Sequence, residues 1–130
     1  MKIAVLIARI LLGLVFLIFG FNNLHPFMPM QLPPGDAGTL STIMFAHGWI
    51  TFHGVLYVIA GVLLIVGRYV PVGLVILGPI LVNILLFHAT LAPSGFAPGL
   101  VCTALELFLI YAYWPAFRAI FTAKMEPVGP

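Results

Sequence analysis

The sequence predicts an all-α fold, an integral membrane four-helix bundle with a long outer loop between helices 1 and 2, forming one domain over residues 1–130. Three observations predict it. Hydrophobic residues make up 63% of the chain, against about 45–50% in an average soluble domain. Only five Lys/Arg and three Asp/Glu carry formal charge, too few to cover a soluble globule of this size. Four apolar stretches approach the roughly 20 residues a helix needs to cross a bilayer. The same arithmetic excludes a cytosolic enzyme, a nucleic-acid binder and a disordered chain. A net charge of +2 gives no argument for a polyanionic partner. The single cysteine, Cys102, excludes an internal disulfide and the vicinal thiol pair that a membrane thiol oxidase needs.

The first span covers residues 3–21, interrupted only by Arg9. Lys2 before an apolar run also fits a secretory signal. No small-x-small cleavage site follows and the run is long for a signal, so the segment reads as a retained span. Pro26, Pro29, Pro33 and Pro34 then exclude helix continuation. The loop 22–47 is the one sizeable polar stretch, yet it holds Phe27, Met28, Met30, Leu40, Ile43, Met44 and Phe45. Residues 36–46 read as a short helix at the outer interface, with Asp36 or Thr39 as cap.

The second span covers 48–66. Gly67, Arg68, Tyr69 and Val70 make a tight turn, and Pro71 opens the third span, 71–89. Pro79 lies inside that span, where it should kink the helix and free a carbonyl. Pro93-Ser94-Gly95 breaks the chain again, and Pro98 opens the fourth span, 98–117. No ten-residue alternating pattern supports barrel strands. Lys2, Arg9, Arg68, Arg118 and Lys124 all fall on one side of this four-span arrangement, so both termini and the middle turn should face the cytoplasm.

Intramembrane polar residues are costly, and each needs a reason. In span one, Arg9, Gly13, Phe16, Gly20 and Asn23 lie on one face at helical spacing. Span two repeats the device with Gly54, Tyr57, Gly61 and Arg68. Small residues allow close helix approach, so Gly13, Gly20, Gly54 and Gly61 are the expected packing positions. Span three offers Pro79 and Asn83, and span four Cys102, Glu106, Leu109 and Tyr113. Cys102 reads as a small packing residue. Trp49, Tyr69, Tyr111, Tyr113 and Trp114, near span ends, read as interfacial belts.

Arg9 and Glu106 are the only opposite charges within the spans, and so a candidate ion pair. At about 1.5 Å per residue, Arg9 lies roughly 10 Å and Glu106 roughly 17 Å from the inner edge. An arginine could bridge much of that gap. Against it, side chains lean toward their own helix N-terminus, which moves Arg9 inward and Glu106 outward. Water, Tyr57 or a ligand could complete the contact. The alternative has Arg9 reaching the inner phosphates while Glu106 carries its proton.

His25, His47, His53 and His88 all belong to the outer end, with Asn22, Asn23 and Asn83 near the same level. Three histidines from three helices could hold a metal or haem. No HxxH or HxxxH spacing supports that, and interfacial histidines explain the pattern more simply, so no metal site and no catalytic residue is assigned. A polar pocket bounded by His25, His53, Tyr57, Asn83, His88 and Glu106 would suit a quinone-like head group, which needs hydrogen-bond donors near each carbonyl and apolar walls.

Several stretches together resemble the DoxX family of small four-span bacterial membrane proteins. These are Arg9, Gly13, Phe16, Gly20 and Asn23-Leu24 in span one, the run from Gly61 to Gly67-Arg68, and Pro79, Asn83 and Phe87-His88 followed by Pro93-Ser94-Gly95. The likeness covers nearly the whole chain. It departs where many members carry an acidic residue in span two, here His53 and Tyr57, and where Lys is frequent, here Asn23. The resemblance implies a multi-pass protein of the bacterial inner membrane with cytoplasmic termini. It also implies an accessory subunit of a quinone-linked membrane oxidoreductase. The partners are then the lipid bilayer, redox-enzyme subunits and further copies of the chain; the outer pocket would take a quinone or a lipid, with quinone the candidate cofactor and none assigned. Whether the chain is itself an enzyme stays open. The alternatives are a purely structural membrane subunit without ligand and a membrane enzyme with a His-ligated metal or haem. A channel or carrier would show more polar lining.

Overall fold

A computed structural model describes residues 1–29 and 31–130; Met30, counted above among the apolar loop residues, lies outside them. The chain is all-α, with no strand among the described residues. Four helices are long and apolar enough to span a membrane: α1 (Lys2–Leu24), α3 (Trp49–Val66), α4 (Val70–Thr90) and α5 (Phe96–Ala112), the last preceded by a 3₁₀ turn at Pro93–Gly95. α2 (Asp36–Ala46) lies between α1 and α3, and a four-residue α6 (Trp114–Phe117) follows α5.

Local chemistry sets the ends. α1 runs on to Leu24, beyond the expected residue 21. It stops because His25 precedes Pro26 and adopts an extended backbone (φ −142°, ψ 92°), the conformation that a following proline imposes. α2 occupies the expected 36–46, but neither Asp36 nor Thr39 caps it. Gly35 holds the cap position, Thr39 Oγ1 donates to the Gly35 carbonyl, and Asp36 sits in the first turn, where its charge suits the helix dipole. α3 passes into α4 through Gly67 (φ 79°) and Tyr69 (φ 57°), two left-handed residues that reverse the chain within three positions.

The fourth span lies earlier than the expected 98–117: with its 3₁₀ lead-in it covers Pro93–Ala112. α5 begins at Phe96, with Pro98 in the first turn where its missing N–H has no helical partner to lose. It ends at Ala112. Pro115 has no N–H to continue the helical ladder, so α5 ends before it: Tyr113 leaves the helix (φ −102°, ψ 23°) and α6 restarts at Trp114, with Pro115 in its first turn. α4 stays helical through Pro79.

α1 packs on α3, α3 on α4, α4 on α5, and α5 returns to α1; α2 lies against α3. The shared core is narrow, built on Leu12, Phe16, Ala60, Leu64, Leu74, Leu77, Leu81 and Leu109. The outward faces are equally apolar: Ile3, Val82, Val101 and Leu107 are each at least 60% exposed. In water that surface would drive aggregation; in hydrocarbon it carries no penalty. The pattern is compatible with a multi-pass membrane protein.

The α1–α3 seam is the tightest in the molecule. A Cβ added to Gly13 would stand 3.0 Å from the Gly61 carbonyl oxygen, and one added to Gly20 would stand 3.0 Å from that of Gly54. Both pairs are seven residues apart on both helices, so they share one antiparallel register. Phe16 and Tyr57 close the space between them edge to face, with ring centroids 5.0 Å apart.

Candidate functional site

Arg9 and the α3–α4 turn form one unit. The Arg9 Nε–H donates to the Leu64 carbonyl oxygen at 3.0 Å. Leu64 lies in the last turn of α3, where carbonyls have no intrahelical partner. The Gly67 N–H takes the neighbouring Leu63 carbonyl at 3.0 Å, and Arg9 takes the next. Its positive charge thus rests on the negative end of α3. The guanidinium lies flat against Gly67: a Cβ there would stand 2.7 Å from Nη2 and 2.9 Å from Cζ and Nη1. Gly67 therefore serves twice, through its left-handed φ and through the room it leaves.

Glu106, the other charge within the spans, is only 3% exposed. It points toward α4 at Gly78, where an added Cβ would lie 3.7 Å from Oε2. Neither carboxyl oxygen has a hydrogen-bond partner. The candidate Arg9–Glu106 ion pair is therefore not formed, and Tyr57 does not bridge to Glu106. The two side chains lean toward their own N-termini on antiparallel helices, which draws Arg9 to the basic end and Glu106 away from it.

The remaining polar side chains in the spans mostly satisfy themselves one turn back, a local bond open to Ser, Thr and Asn. Thr90 Oγ1 donates to the Leu86 carbonyl at 2.7 Å and Thr103 Oγ1 to that of Gly99 at 2.7 Å. Asn83 Nδ2 donates to the Pro79 carbonyl at 3.2 Å from an exposed position on the outside of α4. Asn83 thus does not face inward with Glu106.

The histidines are likewise occupied separately. His53 Nδ1 lies 2.6 Å from the Trp49 carbonyl oxygen and His88 Nδ1 lies 3.1 Å from that of Ala92. Each ring donates in the Nδ1–H tautomer, the assignment a carbonyl acceptor requires. His88 also packs against Gly95, where a Cβ would meet the ring at 2.5 Å. His25 closes α1 and His47 closes α2, both exposed. No three His, Cys, Asp or Glu side chains among the described residues are grouped to hold a metal. Of the expected outer pocket, His53 and Tyr57 are neighbours, with ring centroids 6.3 Å apart. Asn83, His88 and Glu106 are each engaged or directed elsewhere, and His25 is exposed at the end of α1. The packing glycines, in contrast, meet in facing pairs as their spacing implies.

Asn22 has a role that sequence reasoning did not assign. It is 4% exposed, and its Oδ1 accepts from the Phe27 N–H at 3.0 Å and the Met28 N–H at 2.9 Å. It folds the loop back over the end of α1. The available signal was an Asn placed shortly before the helix-breaking His25-Pro26, where a side-chain acceptor can replace lost helical bonds. The Arg9–Leu64 contact had no comparable signal, since it depends on the helix register.

Comparison with protein-family profiles, curated proteins and solved structures gives no match for this chain.

Proposed function

We propose that the chain is an accessory subunit of a quinone-linked oxidoreductase in the bacterial inner membrane. It would form a four-helix bundle of DoxX type with both termini in the cytoplasm. Its interior would hold the head group of a lipophilic molecule, a quinone or a lipid, at Glu106. The single observation that carries this reading is the buried Glu106 carboxyl with two unpartnered oxygens. An ionisable residue kept inside a membrane bundle is expensive and marks function by default, and native interiors leave few polar groups unsatisfied. The polar anchor thus moves from the outer histidines to the α4–α5 interface, beside Gly78. The broad apolar exposure of every spanning helix supports contact with lipid or with a partner subunit.

The test is native purification from the membrane, with mass spectrometry of co-purifying proteins and lipophilic molecules. A quinone or lipid retained by the native chain and lost in Glu106→Leu supports the reading, as does a co-purifying redox subunit. Retention unaffected by the substitution, with no protein partner, would refute it. The second reading, a purely structural subunit, draws on the close Gly13–Gly61 and Gly20–Gly54 contacts. It predicts no retained molecule that depends on Glu106.

A further inference from the structure

The basic end of the molecule carries a cleft that the quinone reading does not use. It has a volume of about 360 Å³ and lies between the start of α1 and the end of α5, lined by Met1, Lys2, Val5, Leu6, Arg9, Ala112 and Tyr113. Two of its lining side chains, Lys2 and Arg9, are cationic, and no acidic residue lines it. Arg9 is half-buried, and its orientation is fixed by the Nε bond to Leu64 and by Gly67. That contact uses one of the five guanidinium N–H donors, and no other hydrogen bond from this side chain is present among the described residues. Val5, Leu6 and Ala112 give the same cleft apolar walls, and Leu6 and Ile3 lie exposed beside it on α1.

We infer that this cleft binds the phosphate of an anionic phospholipid at the cytoplasmic face. A guanidinium matches phosphate geometry and, held in place beforehand, loses little entropy on binding. Lys2 adds a second charge toward the membrane surface, where anionic lipids concentrate. The apolar walls favour a lipid over free phosphate, since a soluble ion has nothing to place against Val5 and Leu6. The inference rests on the membrane reading above, but not on Glu106 or on quinone.

The full chain is reconstituted into nanodiscs of phosphatidylcholine containing a minor share of phosphatidylglycerol, and retained lipid is read by native mass spectrometry. The expected result is preferential retention of phosphatidylglycerol, reduced about tenfold in Arg9→Gln, the scale of losing hydrogen bonds to a charged group. Lys2→Gln leaves the Arg9–Leu64 contact intact and should lower retention several-fold, so the test survives if Arg9→Gln fails to fold. Arg118→Gln, a basic substitution outside the cleft, should retain the lipid. Equal loss in Lys2→Gln and Arg118→Gln would reduce the effect to general surface charge and overturn the site. Displacement of the lipid by inorganic phosphate would overturn the lipid assignment. Insertion without any lipid preference overturns the cleft alone, whereas failure to insert overturns the membrane reading with it.

Discussion

Gly13 and Gly61 face each other so closely that neither can gain a side chain: a Cβ on Gly13 would stand 3.0 Å from the Gly61 oxygen, and one on Gly61 would stand 2.8 Å from the Gly13 oxygen. Backbone cannot yield as a flexible side chain can. Gly61→Val should therefore lower thermal stability in detergent by about 1–3 kcal/mol, the usual scale of overpacking. Gly73→Ala is the control. Its Cβ would find the Ala60 oxygen at 3.4 Å and the Leu63 Cβ at 3.5 Å, ordinary contact distances, and alanine favours helix. Its melting temperature should hold or rise slightly. A matching loss in both variants would show that the seam is not the constraint.

The Arg9 cap on α3 gives a second prediction. Arg9→Gln should destabilise the fold by about 1–2 kcal/mol, through loss of a charge and a hydrogen bond at a helix C-terminus. Gly67→Ala should cost about 1–3 kcal/mol, the scale of a non-glycine residue held at positive φ, because φ is 79° and the new Cβ meets the guanidinium. Thermal melts of the single and double variants would show coupling, since both act on one contact. Strict additivity would count against it.

Glu106 should trade stability for function. Glu106→Leu removes two buried, unpartnered oxygens. Removing such a desolvation penalty is worth about 1–3 kcal/mol, so the variant should melt at a higher temperature than the native chain while losing a quinone or lipid held at Glu106. A less stable Glu106→Leu would mean that the carboxyl has a partner in the membrane.

Asn22 ties the Phe27 and Met28 amides to the end of α1. Asn22→Leu should accelerate hydrogen exchange at those two amides while exchange in the middle of α4 stays slow. Unchanged exchange at both would show that the loop is held by other contacts.

The proposed orientation can be tested with single cysteines in a Cys102→Ala background. Asp36→Cys should react with a membrane-impermeant maleimide on intact cells stripped of their outer barrier. Arg68→Cys and Lys124→Cys should react only after permeabilisation. The reverse pattern would invert the topology.

Much of the architecture is legible in the chain itself. The apolar run lengths give four spanning helices, prolines give most of the breaks, and helical spacing puts Gly13, Gly20, Gly54 and Gly61 on packing faces. The end of the fourth span was misplaced because apolarity continues through Phe117 while backbone chemistry stops the helix before Pro115. Hydropathy reports the solvent, and proline reports the backbone.

The site was less legible, for a reason of geometry. Periodicity gives the face of a helix but not which neighbour that face meets or at what register. Arg9 has a charged candidate partner in the sequence, Glu106, and an uncharged one, the Leu64 carbonyl. The antiparallel α1–α3 register and the N-terminal lean of the side chains decide for Leu64. The histidines share one end of the molecule, yet His53 and His88 each find a nearby carbonyl, so common depth does not become a common site. Composition and spacing alone determined a chain of apolar helices with two internal charges. Only the tertiary structure decided that one of those charges caps a helix while the other stays buried without a partner, because pairing requires the distance and direction that packing alone supplies.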